Sequence, residues 1–263
     1  MAKGKYLKDE TGKKLKGLTK LLQRNFYPSY TYESATEQTY FPKPVPKHAP
    51  GAFKRWRKQR GGALLGTKLG RDVAKSLKLL QKYSMPIECF FNLESTAGFY
   101  AAWITKMKTK TDKATFKSVV KSLYLSLFWM QMKRRKIMPI ATEVPVRHAT
   151  KGMGTMIDVV CLDQANRYVL LELKTGCKYQ YKHTKVKMNY PFADKDDSVH
   201  NQHQLQVAAS VEMYKHTYPT HVLAEPLILR LHTNQTEFIA LELWASQRVP
   251  EMFNYIRNGD KDV

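Results

Sequence analysis

The chain has 263 residues, 43% of them hydrophobic, with 44 Lys and Arg against 22 Asp and Glu and a net charge of +22. That is enough apolar material for the core of one large domain, alone or with appendages. A cationic excess of this size points to a polyanionic partner, nucleic acid first and an acidic membrane surface second. Three cysteines, Cys89, Cys161 and Cys177, are too few and too scattered for a disulfide framework, so a reducing intracellular compartment is expected, with the nucleus or a viral replication site among the options. There is no run of about 18 apolar residues, so no transmembrane helix is expected. The opening MAKGKYLKDETGKK lacks a signal-peptide core, and its acids and lysines make a poor mitochondrial presequence.

Residues 1–60 read as a basic, partly disordered arm. Leu15, Leu18, Leu21 and Leu22 stand at the spacing of a short amphipathic helix. Phe26–Phe41 has no period, and Pro42, Pro44, Pro46 and Pro50 resist regular structure. Lys54, Arg55, Trp56 and Arg57 begin a run of cations around an indole, which suits a phosphate backbone with a stacked base. The same run also fits a nuclear import signal or a solvated linker. Next, GGALLGTK at Gly61–Lys68 imitates a phosphate-binding loop, but its last two residues are in the wrong order and no buried strand precedes it. Helices are expected over Val73–Tyr83, Phe90–Met107 and Lys117–Lys136. The last ends on Lys133-Arg134-Arg135-Lys136, which suits a helix C-terminus. Pro139–Val146, containing Glu143, reads as a strand.

The most informative stretch is Lys151–Gly176. Two runs rich in Val, Ile and Leu, Thr155–Leu162 and Tyr168–Leu173, flank the polar group Asp163-Gln164-Ala165-Asn166. This is a hairpin signal. Asp158, Glu172 and Lys174 interrupt the apolar pattern, and buried strands rarely hold charge unless it is paired or does chemistry. Glu172 and Lys174 share a strand face. A turn centred on Ala165 sets Asp158 opposite Glu172, so two carboxylates and an ammonium converge. Carboxylates that close repel, and a divalent cation relieves them. A register shifted by one residue would separate them.

After Gly176 comes a basic, aromatic loop in which Lys178, Tyr179 and Lys182 could hold a nucleic-acid strand. His200–Tyr218 reads as a helix with Leu205, Ala208, Ala209 and Met213 inward. His200 and His203 have zinc-compatible spacing but lack evident further ligands. Glu225–Leu243 reads as a second hairpin turning near Asn234, and Trp244–Ile256 as a closing helix.

Gly154-x-x-x-Asp158, thirteen intervening residues and then Glu172-Leu173-Lys174-Thr175-Gly176 resembles the core of the PD-(D/E)XK nucleases, most of all the RecB-type and lambda-exonuclease-like branch. The resemblance runs from about Met138 to Leu243, with a weaker extension to the Gly61 region. It implies an α/β fold: a restriction-endonuclease-like core with a mixed central β-sheet flanked by helices, a helical cap over 61–136 and a catalytic core over 137–263. It implies Mg²⁺ or Mn²⁺ on Asp158, Glu172 and the Leu173 backbone carbonyl, with Glu143 in support, and Lys174 acting on the attacking water or the developing charge. Gln206 matches the glutamine that related nucleases place in the following helix, and Gln202 is the second match. The aromatic expected four residues past Gln206 is replaced by Ser210. A Gly-x-x-x-His segment of the family corresponds to Gly66–Gly70, with Gly70 where the histidine would stand, leaving Lys68 and Arg71 to face substrate. Three cysteines cannot supply the four thiolates of the iron–sulfur cluster that some members carry. The expected activity is metal-dependent DNA hydrolysis, exonucleolytic, in recombination, repair or replication. The alternatives are a non-catalytic nucleic-acid-binding or packaging protein on the same fold, and a membrane-surface or protein-binding module.

Overall fold

The computed structural model describes residues 7–27, 52–84, 96–120, 122–175, 186–232 and 235–259. A mixed sheet is built around β3 (Met153–Leu162). β2 (Met138–His148) runs antiparallel along its whole length, from Met138↔Leu162 to His148↔Met153. The other edge of β3 is shared. β4 (Tyr168–Thr175) pairs antiparallel with its second half, and β1 (Lys16–Gly17) pairs parallel with its start. β5 (Leu227–His232) lies parallel to β4, and β6 (Gln235–Ala240) returns antiparallel to β5. Parallel neighbours require a crossover. Here α6 (Val199–Thr217) supplies it, capped by Ser198, whose side chain accepts from the Asn201 backbone N–H.

Both sheet faces are covered, which explains why β4 reads as an almost unbroken apolar run. On one face Val159, Cys161, Val169, Leu171, Leu227 and Leu229 pack against α2 (Ala52–Lys82), α3 (Thr96–Lys106), α4 (Lys110–Val120) and α5 (Leu123–Arg135), through residues such as Leu69, Trp103, Phe116 and Trp129. On the other, Val160, Leu170 and Ile228 pack against α1 (Leu18–Phe26), α6, α7 (Leu243–Gln247) and α8 (Val249–Gly259).

Alternation fails at one level of the sheet. Ile157 belongs to the second of these cores and Val159 to the first, although residues two apart on a strand should share a face. The change falls at Asp158. It also falls at Glu143, which comes level with Asp158 between the pairs Thr142↔Val159 and Val144↔Ile157. Glu143 has φ of +51°, a left-handed conformation that is rare for a side-chain-bearing residue and turns the strand locally.

Several expectations need correction. Residues 7–27 are no loose arm: Leu18, Leu22 and Phe26 are at most 1% exposed, and β1 enters the sheet. Residues 54–60 are helical, and the boundary expected at residue 61 falls inside α2. The phosphate-loop look-alike is therefore mid-helix. Its Gly66 serves close approach instead, because a Cβ there would come within 3.1 Å of the Thr175 hydroxyl. The single helix expected over Lys117–Lys136 is two, with extended Ser122 opening α5. The closing helix is also two, α7 and α8. Pro250 sits in the first turn of α8, where its missing N–H costs nothing. Residues 85–95, and with them the start of the expected helix Phe90–Met107, lie outside the described residues, as do the proline-rich stretch and residues 233–234, where the second hairpin is expected to turn.

Candidate active site

β3 and β4 pair from Leu162↔Tyr168 to Val159↔Leu171, so the hairpin is centred on Ala165 and Asp158 comes level with Glu172. Asp163 builds the turn by accepting from the backbone N–H groups of Ala165 and Arg167, each at 2.9 Å. Beyond Val159 the ladder gives way to a side chain. The Leu173 N–H donates to Asp158 Oδ2 at 2.8 Å. The N–H and C=O of one strand residue leave by the same edge, so the Leu173 carbonyl also points toward Asp158.

Glu172 and Lys174 form a buried ion pair. Lys174 Nζ donates to Glu172 Oε1 at 2.8 Å, with the side chains 13% and 10% exposed. From α6, Gln206 Nε2 donates to the same Glu172 oxygen at 2.9 Å, and its Oε1 accepts from Lys174 Nζ at 3.4 Å. The amide thus satisfies both partners, as buried charge requires. Ser210 returns its hydroxyl to the Gln206 carbonyl at 2.8 Å. Gln202 turns away to Asp197, and Gln204 to the Ala240 carbonyl and the Glu242 N–H, so Gln206 is the glutamine of this helix that faces the pair.

Asp158 carries the strongest electrostatic signature here. Burial pushes its carboxyl up to about 7, and Glu172 adds to the rise. Lys174 and the Leu173 N–H pull the other way, and Glu143 contributes a smaller upward push from β2. Three carboxylates on three neighbouring strands therefore stand at one level of the sheet. Among the described residues, no three His, Cys, Asp or Glu side chains already sit close enough together to hold a metal ion.

The remaining candidates are spread out. Lys68 and Arg71 lie on α2 about half a turn and about one and a half turns past Gly66. Lys68 is exposed and pairs with Asp72 at 2.9 Å, and Arg71 Nε donates to the Thr67 carbonyl at 3.3 Å. Lys54, Arg55, Trp56 and Arg57 belong to the first turns of α2, where only the backbone is described, and Lys178, Tyr179 and Lys182 lie outside the described residues. His203 is 3% exposed and held well below its ordinary pKa by burial and by the charges of Lys174 and His200. His200 meets Glu242. Cys161 is a buried thiol whose pKa burial drives up.

Sequence reasoning missed Arg230. It lies in register with Lys174 across β4 and β5, is 8% exposed, and bonds Glu237 of β6 at 2.5 Å. The signal that marked Asp158, a charge inside an apolar strand, was present in Leu227-Ile-Leu-Arg-Leu as well.

No family model and no curated protein matches the chain. Among solved structures it is similar to the protein SSO0001, at 11% identity and a TM-score of 0.27 over 60% of this chain and 70% of that one. It is also similar to a candidate exonuclease from Eubacterium rectale, at 12% identity and a TM-score of 0.30 over 64% and 70%. At these scores neither likeness speaks to function. No helix among the described residues is long and apolar enough to cross a membrane.

Proposed function

We propose that this protein is a metal-dependent DNA nuclease of the PD-(D/E)XK kind. The observation that carries the reading is the meeting of Asp158, Glu172 and Lys174 at adjacent levels of β3 and β4, with Gln206 bridging the last two. The donor set fits a hard divalent cation. One oxygen of each carboxylate is engaged within the protein, the Leu173 carbonyl points into the same space, and a bound cation would offset the burial and the Glu172 charge that raise the Asp158 pKa. Asp158, Glu172 and that carbonyl would hold Mg²⁺ or Mn²⁺, with Glu143 in support from β2. Such an ion would lower the pKa of a bound water and offset charge on the phosphodiester.

The chain's own residues do the rest. Lys174 directs its ammonium at the phosphate oxygens and stabilises the charge that develops as water adds to phosphorus and the sugar oxygen departs. Gln206 positions Glu172 and Lys174 by bonding both members of their pair through one amide. The net charge of +22 supplies affinity for the backbone of any sequence, falling steeply with salt.

The test is cleavage of linear duplex DNA with Mg²⁺, beside a chelated control and Lys174→Ala. Wild type should cut only with metal, and Lys174→Ala should fall by at least a hundredfold. Equal cutting by both proteins removes the assignment. End-labelled linear and closed circular DNA then separate the modes: the exonuclease that the lambda-type resemblance favours degrades the first and spares the second.

A further inference from the structure

Beyond Glu172 the sheet carries a second charged level. Lys174 is in register with Arg230, and Arg230 with Glu237, so the three stand side by side across β4, β5 and β6. Helix α6 reaches this part of the sheet through Gln206, whose Oε1 accepts from Lys174, and Gln204, whose Nε2 donates to the Ala240 carbonyl of β6. His203 of the same helix is buried, and burial first, then the charges of Lys174 and His200, hold it well below its ordinary pKa. This level ends in a cleft of about 660 Å³ whose walls include Arg230, Glu237, His200 and Trp244. The cleft thus opens one strand away from Lys174, within the size range of small-molecule sites.

Its charge differs from that of the chain. Lys187 is paired with Asp196 at 2.6 Å, and Arg230 with Glu237 at 2.5 Å. Lys195 lies 3.8 Å from Asp194. Glu242 is a further carboxylate, accepting from Trp244 Nε1 at 2.6 Å and meeting His200 Nε2 with its other oxygen. Four carboxylates therefore face three Lys and Arg side chains among the described lining residues, and Arg248 pairs with Asp194 from outside the lining, so the cleft is close to neutral in a protein of net charge +22. A phosphate entering here would meet no surplus of positive charge. A nucleobase is neutral, offers N–H groups that carboxylates accept, and has a flat face suited to an indole. The Trp244 ring makes a cation–π contact with Lys195, whose Nζ lies 5.0 Å from its centroid.

We infer that this cleft receives an unstacked base of the bound strand, next to the phosphate presented to Lys174. Trp244 is the stacking platform, and Glu242 accepts from the base's N–H groups. The neighbouring phosphates stay outside, over the cationic surface. The place of that base beside a scissile bond rests on the nuclease reading, whereas its binding does not. Such a site favours single-stranded or frayed ends, where unstacking costs least.

The experiment is equilibrium binding of short fluorescent single strands to the full chain in EDTA, where no cleavage is needed. Each strand carries one abasic nucleotide at a different position. Wild type should lose about tenfold in affinity when one particular position is abasic. Trp244→Ala should bind the intact strand about as weakly as wild type binds that abasic strand, and should show no position effect. Glu242→Gln leaves the indole in place. It should weaken binding of strands with an amino-bearing base at that position and leave the abasic strand unchanged, which keeps the test decisive if Trp244→Ala does not fold. A uniform response of wild type to every abasic position overturns the inference, as does an equal loss by Glu242→Gln on intact and abasic strands. Cleavage by Lys174→Ala in Mg²⁺ tests the nuclease reading separately, so each can fail alone.

Discussion

The two faces of β4 are made of alternate residues of one octapeptide and do opposite work. Val169 and Leu171 point into a dry layer where Trp103, Phe116, Phe128 and Trp129 are fully buried. Glu172 and Lys174 point at α6, where Gln206, His203 and Arg230 gather. Burying aromatics stabilises the fold, whereas burying charge costs free energy that only mutual hydrogen bonding offsets. The contrast shows that the dry face supplies the rigidity with which the wet face holds its charges in place.

The strongest way to break this contrast is to hollow out the dry side. Trp129→Ala should lower unfolding free energy by about 3–5 kcal/mol in urea titration, and activity should disappear only with the fold. The reverse experiment is Glu172→Gln. Cleavage should fall by about 10²–10³-fold, while the urea midpoint moves little, because an amide still accepts from Gln206 and Lys174. A large loss of stability in Glu172→Gln would mean that the ion pair is structural and would erase the division of labour.

A pH series on Asp158→Asn sharpens the point. The native carboxyl is held up near 7, above its ordinary value close to 4. Between those values the native state binds the extra proton, so this residue costs stability as pH rises and the cost is complete above about 7. In metal-free buffer the variant should therefore melt a few degrees above wild type at pH 8 and level with it at pH 4, and Mg²⁺ should reverse the order at pH 8. The smallest effect is expected at Gln206. Gln206→Ala should cost about tenfold in activity, or in Mg²⁺ affinity read by titration calorimetry, since it acts on the site only through Glu172 and Lys174. An unchanged metal titration would make the glutamine a spacer.

Much of this was legible from local pattern. The polar group at 163–166 and the two apolar runs set the hairpin centre at Ala165, and period two put Glu172 and Lys174 on one face, where they stand in the structure. The features that escaped are non-local. Arg230 lies beside Lys174 only because a whole helix intervenes between two parallel strands, and no spacing rule reports that register. The exchange of faces at Asp158 lies level with the left-handed backbone of Glu143, fifteen residues earlier on another strand. β1 escaped because two residues carry no periodicity, and the part of α2 before Val73 because its glycines resemble a loop until Thr175 is seen against Gly66.

Gly154 has a practical consequence. A Cβ there would stand 2.8 Å from Leu7 Cδ1 and 3.1 Å from Leu15 Cδ1, so the leading segment is wedged against the end of β3 about 13 Å along the strand from Asp158. Trimming the front of the protein to strip away its lysines would also pull that wedge. A shortened version that no longer gripped DNA would be reporting a loosened hairpin as much as a missing positive charge, and neutralising those lysines in place, with Leu7 and Leu15 kept, separates the two.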